Sequence, residues 1–376
     1  MNIIEIVKFT EEYLKKYSFS KPRLEAEKLI AGVMNVDRIN LYIYHDRELT
    51  EEEKNDVKKY LKIMSTEHKT FDELNMENKN FNEENLDLLK KSILFLEKYQ
   101  VPNSETDAEY IFSDVLNCKR SMLKFNFCRK ISEEEKAKIK NMIVERAKFR
   151  KPLQYILKKW EFFGYEFITD ERALIPRQDT EILVEACINL LESFEKPRIL
   201  DVGVGSGAIA ISLAKKIKNS EVIGVDISGD ALKLAEENKK INEVDNLKLV
   251  KSNLFDVFEK ADKDVGKFDL IVSNPPYISK NEYENLMPEV IKYEPKNALT
   301  DDGDGLEFYR SISKNAKKYL KDNGYIAYEI GYNQRASVTS ILEKENYEIV
   351  LVLKDYSGND RVVIARKGEK DVDSFE

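Results

Sequence analysis

Arg198-Ile199-Leu200-Asp201-Val202-Gly203-Val204-Gly205-Ser206-Gly207-Ala208 is the stretch that decides the fold. A short apolar run reads as a buried strand, and the glycines that end it open a helical pattern over 207–217. Such a turn lets a ligand approach the backbone closely and aims free N–H groups at an anionic or polar group. On the C-terminal side the alternation continues. Strands are predicted over 221–226, 247–251, 268–272 and 325–330, and helices over 229–241 and 306–320. An antiparallel hairpin over 348–353 and 361–365 turns at Ser357-Gly358-Asn359-Asp360. This pattern predicts a doubly wound α/β sheet, with ligands at the carboxyl ends of its strands. Gly203, Gly205 and Ala208 also satisfy the dinucleotide fingerprint, and Asp226, closing the second strand, suits the hydroxyls of an adenosine ribose. A nicotinamide dinucleotide and S-adenosylmethionine are both compatible with that turn.

What separates them is Ser273-Asn274-Pro275-Pro276-Tyr277, which follows the strand at 268–272. Two prolines force an extended, stiff exit. Asn274 offers a side-chain carbonyl, Pro275 a backbone carbonyl and Tyr277 a flat apolar face. Two acceptors and a ring suit a planar NH2 group, held so that one face of its nitrogen stays open to an electrophile. Hydride transfer needs a proton donor or acceptor nearby, and no His or Lys lies in this loop. The loop therefore favours methyl transfer over redox chemistry.

The chain has 376 residues, long enough for two or more domains, and 42% of them are hydrophobic against 35% charged, as expected of a soluble globular protein. A net charge of −8 argues against a surface built to grip phosphate backbones, so no direct nucleic-acid substrate is expected. Glu5, Lys8, Glu11 and Glu12 interrupt the first 17 residues, which predicts neither secretory signal nor membrane span. Cys118, Cys128 and Cys187 lack metal-ligand spacing and fit a reducing, cytoplasmic setting with no metal site. His45 and His68 read as surface residues, which leaves little material for histidine chemistry.

The N-terminal third is one unit written twice. At an offset of 82 residues, 4–61 lies over 86–143 without a gap and with 16 identities in 58 positions, against about three or four for unrelated chains. Ala26-Glu27 falls on Ala108-Glu109, Asn35 on Asn117, Arg38 on Arg120, and Glu51-Glu52-Glu53-Lys54 on Glu133-Glu134-Glu135-Lys136. Each copy is predicted to be a small helical bundle. Ile4, Val7 and Leu14 share one face of its first helix, mirrored by Leu86, Leu89 and Leu96, and Thr50 and Ser132 stand where helix caps belong. The basic run from Arg146 to Lys151 reads as a solvated helix face. The resulting domains are a first bundle over 1–67, a linker over 68–84, a second bundle over 85–150, a catalytic domain over 151–367 and a tail over 368–376.

With these motifs in hand, the chain resembles the HemK/PrmC peptide chain release factor glutamine methyltransferases. The likeness is carried by Lys151-Pro152-Leu153-Gln154-Tyr155-Ile156, by Leu174-Ile175-Pro176-Arg177-Gln178-Asp179-Thr180-Glu181, by the glycine turn, and by Val225-Asp226-Ile227-Ser228 and the Pro-Pro loop. It continues through Tyr293-Glu294-Pro295, Asp304-Gly305-Leu306 and Glu329-Ile330-Gly331, covering roughly 90–366. The resemblance implies a class I methyltransferase fold, S-adenosylmethionine as methyl donor, and as acceptor the glutamine of the Gly-Gly-Gln loop of class 1 release factors. A monomer acting on those factors, with no membrane partner, is expected.

Carried over to this chain, Gly203, Val204, Gly205, Ser206 and Gly207 would pass beneath the donor, Asp226 would bind its ribose and Leu254 would lie against its adenine. Asn274 and Pro275 would hold the glutamine amide beside the donor, with Pro276 and Tyr277 completing the substrate site. Glu329 is expected to cap a neighbouring helix, while Phe162 and Phe163 read as core, one of them a candidate wall of the glutamine site. Three positions depart from the family pattern: Gln178 replaces a usual proline, Lys158 a glycine and Asn253 an aspartate. The family usually carries one helical bundle. The second copy adjoins the catalytic domain and is the expected release-factor reader, which makes the first the extra one. Rival readings are glutamine methylation of a ribosomal protein, amino-group methylation of a nucleic-acid base, and a helical interaction module on an inactive scaffold.

Overall fold

The computed structural model describes residues 2–34, 36, 38, 40–71, 73–74, 82–127, 129–259 and 267–368. Two compact units divide the chain, Met1–Arg150 and Lys151–Glu376. Asn35, Cys128, nearly half of the expected linker and nearly all of the expected tail lie outside the described residues.

In the first unit, three long helices of each copy answer one another: Ile3–Lys16, Pro22–Met34 and Glu51–Glu67, then Glu83–Lys98, Ser104–Val115 and Glu133–Lys148. The repeat extends to side chains. Thr50 with Glu53, and Ser132 with Glu135, build the same reciprocal cap at the third helix, where the side-chain oxygens satisfy orphan N–H groups. Arg38 meets Glu27 at 3.0 Å and Arg120 meets Glu109 at 3.5 Å, while Arg47–Glu53 and Arg129–Glu135 pair at 3.1 and 2.7 Å. Of the predicted face of the first helix, Val7 and Leu14 are buried and Ile4 is half-buried, with Ile3, Ile6 and Thr10 buried beside them.

Two expectations need correction. Phe71 and Leu74, assigned by composition to the linker, are buried in the first bundle, with the Phe71 N–H donating to the Glu25 carboxylate at 2.7 Å. Arg146 is not solvated; it is buried and donates to Asp107 at 2.6 Å, because a charge taken from water must find its partner.

The second unit opens with a short helix at Leu153–Leu157, followed by a hairpin, β1 (Lys159–Phe162) with β2 (Tyr165–Ile168), and a helix at Gln178–Leu190. Periodicity assigns no element there. Seven further strands follow: β3 (Arg198–Val202), β4 (Glu221–Asp226), β5 (Leu247–Lys251), β6 (Phe268–Ser273), β7 (Leu320–Glu329), β8 (Tyr347–Lys354) and β9 (Asp360–Lys367). They form one sheet of order β5-β4-β3-β6-β7-β9-β8. The first five in that order run parallel, and β9 enters antiparallel between β7 and β8. Every residue of β6 is buried, as a central parallel strand covered on both faces requires.

One boundary moves. The helix predicted over 306–320 spans Glu307–Ala316, and β7 begins at Leu320. Leu320 is fully buried and pairs with Phe268 at the foot of β6, so burial wins over a helical period that the residue also satisfies.

Candidate active site

From β3 the chain runs to β4 on one side of the sheet, and after β5 it crosses back to β6 on the other. A crevice opens at such a switch point, outside the carboxyl ends. The glycine turn after β3 and the Pro-Pro loop after β6 both face it, and the Ser273 hydroxyl ties them by donating to the Val202 carbonyl at 2.6 Å. The crevice is a cavity of about 300 Å³.

Gly203, Val204, Gly205, Ser206, Asp226, Leu254, Asn274, Pro275 and Pro276 all line it. Gly207 and Tyr277 do not. Gly207 instead closes the turn at φ 87°, where an added Cβ would sit 2.8 Å from Ile211 Cδ1. At Gly203, φ 81°, a Cβ would meet nothing within 4 Å, which leaves the backbone bare toward the cavity. Asp226 accepts from the Gly205 N–H at 2.9 Å and from the Ser228 N–H at 2.8 Å, so its carboxylate also shapes the turn. Leu254 adopts φ 47°, unusual for a bulky side chain, and presents itself to the cavity beside Asn253. Phe162 and Phe163 pack in the core next to the sheet and do not wall the cavity.

The other departures fit their backbones. Gln178 takes the first position of its helix, where proline is favoured only because its φ is already set. Lys158 sits at φ 60° after the helix Leu153–Leu157, a place suited to glycine, and bears the modest cost of a side chain there.

Asp201 is fully buried at the end of β3, with one carboxylate oxygen accepting from the Ala210 N–H at 3.2 Å and the other without a partner. Burial pushes its pKa up to about 7, with nearby Asp226 adding to the rise. The native chain therefore holds a proton that the unfolded chain releases near pH 4, and stability falls as pH rises from about 4 to about 7. Asp201→Asn has no such proton to lose. Relative to wild type it should gain up to ~4 kcal/mol between pH 4 and pH 8, read from melting curves across that range.

Tyr277 turns its hydroxyl to Glu329 Oε1 at 3.2 Å. Glu329, expected to cap a helix, is buried at the end of β7 and accepts from side chains instead: Tyr277 on one oxygen and the Thr180 hydroxyl, at 2.5 Å, on the other. Asn274 Nδ2 donates in turn to Thr180 Oγ1 at 3.2 Å. Gln334 Nε2 donates to the carbonyls of Tyr277 at 2.8 Å and Gly305 at 3.3 Å, locking the far end of the loop. Gly305 lies at φ 77°, and a Cβ there would fall 2.3 Å from the Tyr277 carbonyl oxygen. Gly305→Ala must therefore displace the loop; a loss of about 2–4 kcal/mol in stability and at least tenfold in turnover is expected from melting and rate measurements. Across the cavity mouth, Arg177 pairs with the buried Glu294 at 2.5 Å, joining two segments that line it.

The geometry thus brings a bare glycine turn, the Asp226 carboxylate and the Asn274-Pro275 loop to one cavity. The sequence matches the model of the PrmC N-terminal domain over residues 5–66 and again over 87–157, and that of a methyltransferase domain over 193–365. It is 58% identical to the release factor glutamine methyltransferase of Fusobacterium nucleatum over 92% of this chain and 96% of that one. Enzymes of the same name from Clostridium botulinum and Geobacter sulfurreducens are 41% and 38% identical, over 75% and 73% of this chain and 98% and 93% of theirs. By sequence and by fold, the chain belongs to the HemK/PrmC family of release factor glutamine methyltransferases.

Proposed function

We propose that this enzyme transfers the methyl group of S-adenosylmethionine to the side-chain amide nitrogen of the glutamine in the Gly-Gly-Gln loop of class 1 release factors. The observation that carries the reading is the placement of Asn274 and Pro275 across one cavity from the bare glycine turn and Asp226. The residues fit the donor. Gly203 and Gly205 leave open backbone where its methionine portion would lie, Asp226 would accept from the ribose hydroxyls, and Leu254 would cover the adenine. When bound there, S-adenosylmethionine supplies an electrophilic methyl on a sulfonium.

The remaining chemistry belongs to the chain. An amide nitrogen is a poor nucleophile because its lone pair is delocalised into the carbonyl. Asn274 Oδ1 and the Pro275 carbonyl would each accept one N–H, polarise the group toward nitrogen and aim it at the electrophile, and positioning of this kind reaches effective molarities of about 10⁵–10⁸ M. No strong base is needed before transfer, since the proton can leave once the nitrogen is cationic.

The second bundle, which directly precedes the catalytic domain in sequence, is the proposed reader of the release factor. The first is the proposed extra copy, in keeping with a clostridial relative whose length aligns almost entirely within three quarters of this chain. Among the described residues no helix is long and apolar enough to cross a membrane. The proposed substrate places the enzyme beside the cytoplasmic translation machinery, and a monomer is proposed. Incubation with labelled donor and purified release factor tests the reading: label should enter the wild-type factor and not one whose loop glutamine is replaced. Label in a ribosomal protein or in nucleic acid, with none in the release factor, would overturn it.

A further inference from the structure

We infer that Thr180 and Glu329 are positioning residues that fix which end of the Asn274 amide faces the substrate, and so make the site select a carboxamide over a carboxylate. The inference rests on the function proposed above and extends it to specificity. A threonine hydroxyl has one proton to give. Here it goes to Glu329 Oε2 at 2.5 Å. The other oxygen of that carboxylate is engaged by the Tyr277 hydroxyl at 3.2 Å, so Glu329 acts as acceptor on both sides. With its proton committed, Thr180 Oγ1 can only accept from Asn274, and it meets Nδ2 at 3.2 Å. The amide is thereby turned with Nδ2 toward Thr180 and Oδ1 toward the cavity that Asn274 lines.

Burial at the end of β7 makes this arrangement strong, because a hydrogen bond to a desolvated carboxylate exceeds a neutral one. Arg361 supplies the compensating positive charge. It pairs with Asp355 at 3.0 Å and Asp179 at 3.3 Å; burial pushes the Glu329 pKa up, and the Thr180 hydroxyl, the Arg361 charge and the Tyr277 hydroxyl oppose that rise by favouring the carboxylate. An unrestrained asparagine could present either end. Oxygen outward accepts from a glutamine NH2, whereas nitrogen outward would suit the carboxylate of a glutamate. Discrimination between isosteric groups of opposite hydrogen-bond sense is large when a site's polar groups would otherwise stay unpaired.

The test compares wild type with Thr180→Val, which keeps the shape and removes the hydroxyl, and Thr180→Ser, which restores it. Each is assayed with the release factor, and with a release factor carrying glutamate in place of the loop glutamine as competitor. Thr180→Val should lose at least tenfold in kcat with donor affinity unchanged by calorimetry, and Thr180→Ser should stay within about threefold of wild type. In Thr180→Val the glutamate form should also compete at least tenfold better, relative to the glutamine form, than it does against wild type. Near wild-type turnover and discrimination in Thr180→Val, or equal losses in both variants, would overturn the inference. A readout independent of turnover is proton exchange at the Asn274 side-chain NH2, assigned by its loss in Asn274→Ala. It should accelerate in Thr180→Val and not in Thr180→Ser. Equal exchange in all three would overturn the inference even if the release factor proved not to be the substrate. Failure of the wild-type enzyme to label the factor would count against the functional reading alone.

Discussion

Asn274→Ala should lower kcat by about 10³-fold or more while donor affinity changes by no more than a few-fold. The alanine keeps the backbone of a loop held elsewhere, by the Ser273 hydroxyl on Val202 at one end and by Gln334 on the Tyr277 carbonyl at the other. What disappears is one of the two acceptors proposed to hold the substrate nitrogen. The barrier to attack by a delocalised lone pair is lowered chiefly by alignment, so the loss falls on turnover and not on binding of the donor, whose glycine turn and Asp226 are untouched. Single-turnover transfer to the release factor, paired with calorimetric titration of the donor, checks both halves. Turnover near the wild-type rate would remove Asn274 from the reaction. Asn274→Asp should rescue poorly despite keeping an acceptor. The single proton of Thr180 would then face two carboxylates, the introduced one and that of Glu329, and one of them would have to take up a proton.

How far each of these residues could be read from the chain follows from the range of the interaction that defines it. The strands β3, β4, β5 and β6 are legible because buried parallel strands are short continuous apolar runs, punctuated by Gly, Asn or Pro, and nothing distant is needed to recognise them. The glycine turn and Asn274-Pro275 are legible for a similar reason, since each is a local backbone device. Thr180 is different. Its partner Glu329 lies 149 residues further on, and neither is unusual in its own neighbourhood, so spacing leaves Thr180 without a role and Glu329 as a helix cap. Arg146 and Phe71 fail by the same logic, the first because Asp107 neutralises it from another helix and the second because Glu25 and the first bundle's core claim it. The hairpin β1–β2 offers four residues per strand with charged ones alternating through β1, too short a run to separate from a loop. Leu320 satisfies two periods at once, and only its pairing with Phe268 decides between them.

Asp226→Ala should produce the opposite split from Asn274→Ala: donor affinity down by about 30- to 1000-fold, with kcat at saturating donor within about threefold of wild type. The range follows from two losses that act on the same ligand. One is the proposed charge-assisted acceptor for the ribose hydroxyls, worth about 1.5–3 kcal/mol. The other is structural. The carboxylate holds the Gly205 N–H at 2.9 Å and the Ser228 N–H at 2.8 Å, so its removal loosens the turn on which the donor would rest. Asp226→Asn is accordingly no gentle substitution. An asparagine can satisfy one of those N–H groups with its oxygen, but must then point its own NH2 at the other, donor against donor. Its affinity for the donor should fall nearly as far as that of the alanine variant. The Asn274 loop keeps its anchors at Thr180, Gln334 and the Val202 carbonyl, the last of which belongs to β3 ahead of the loosened turn, so turnover is largely spared. Calorimetry for the donor and steady-state rates at saturating donor separate the two effects. A variant that bound the donor normally but turned over slowly would move Asp226 out of the donor site and leave the crevice between β3 and β6 without its ribose anchor.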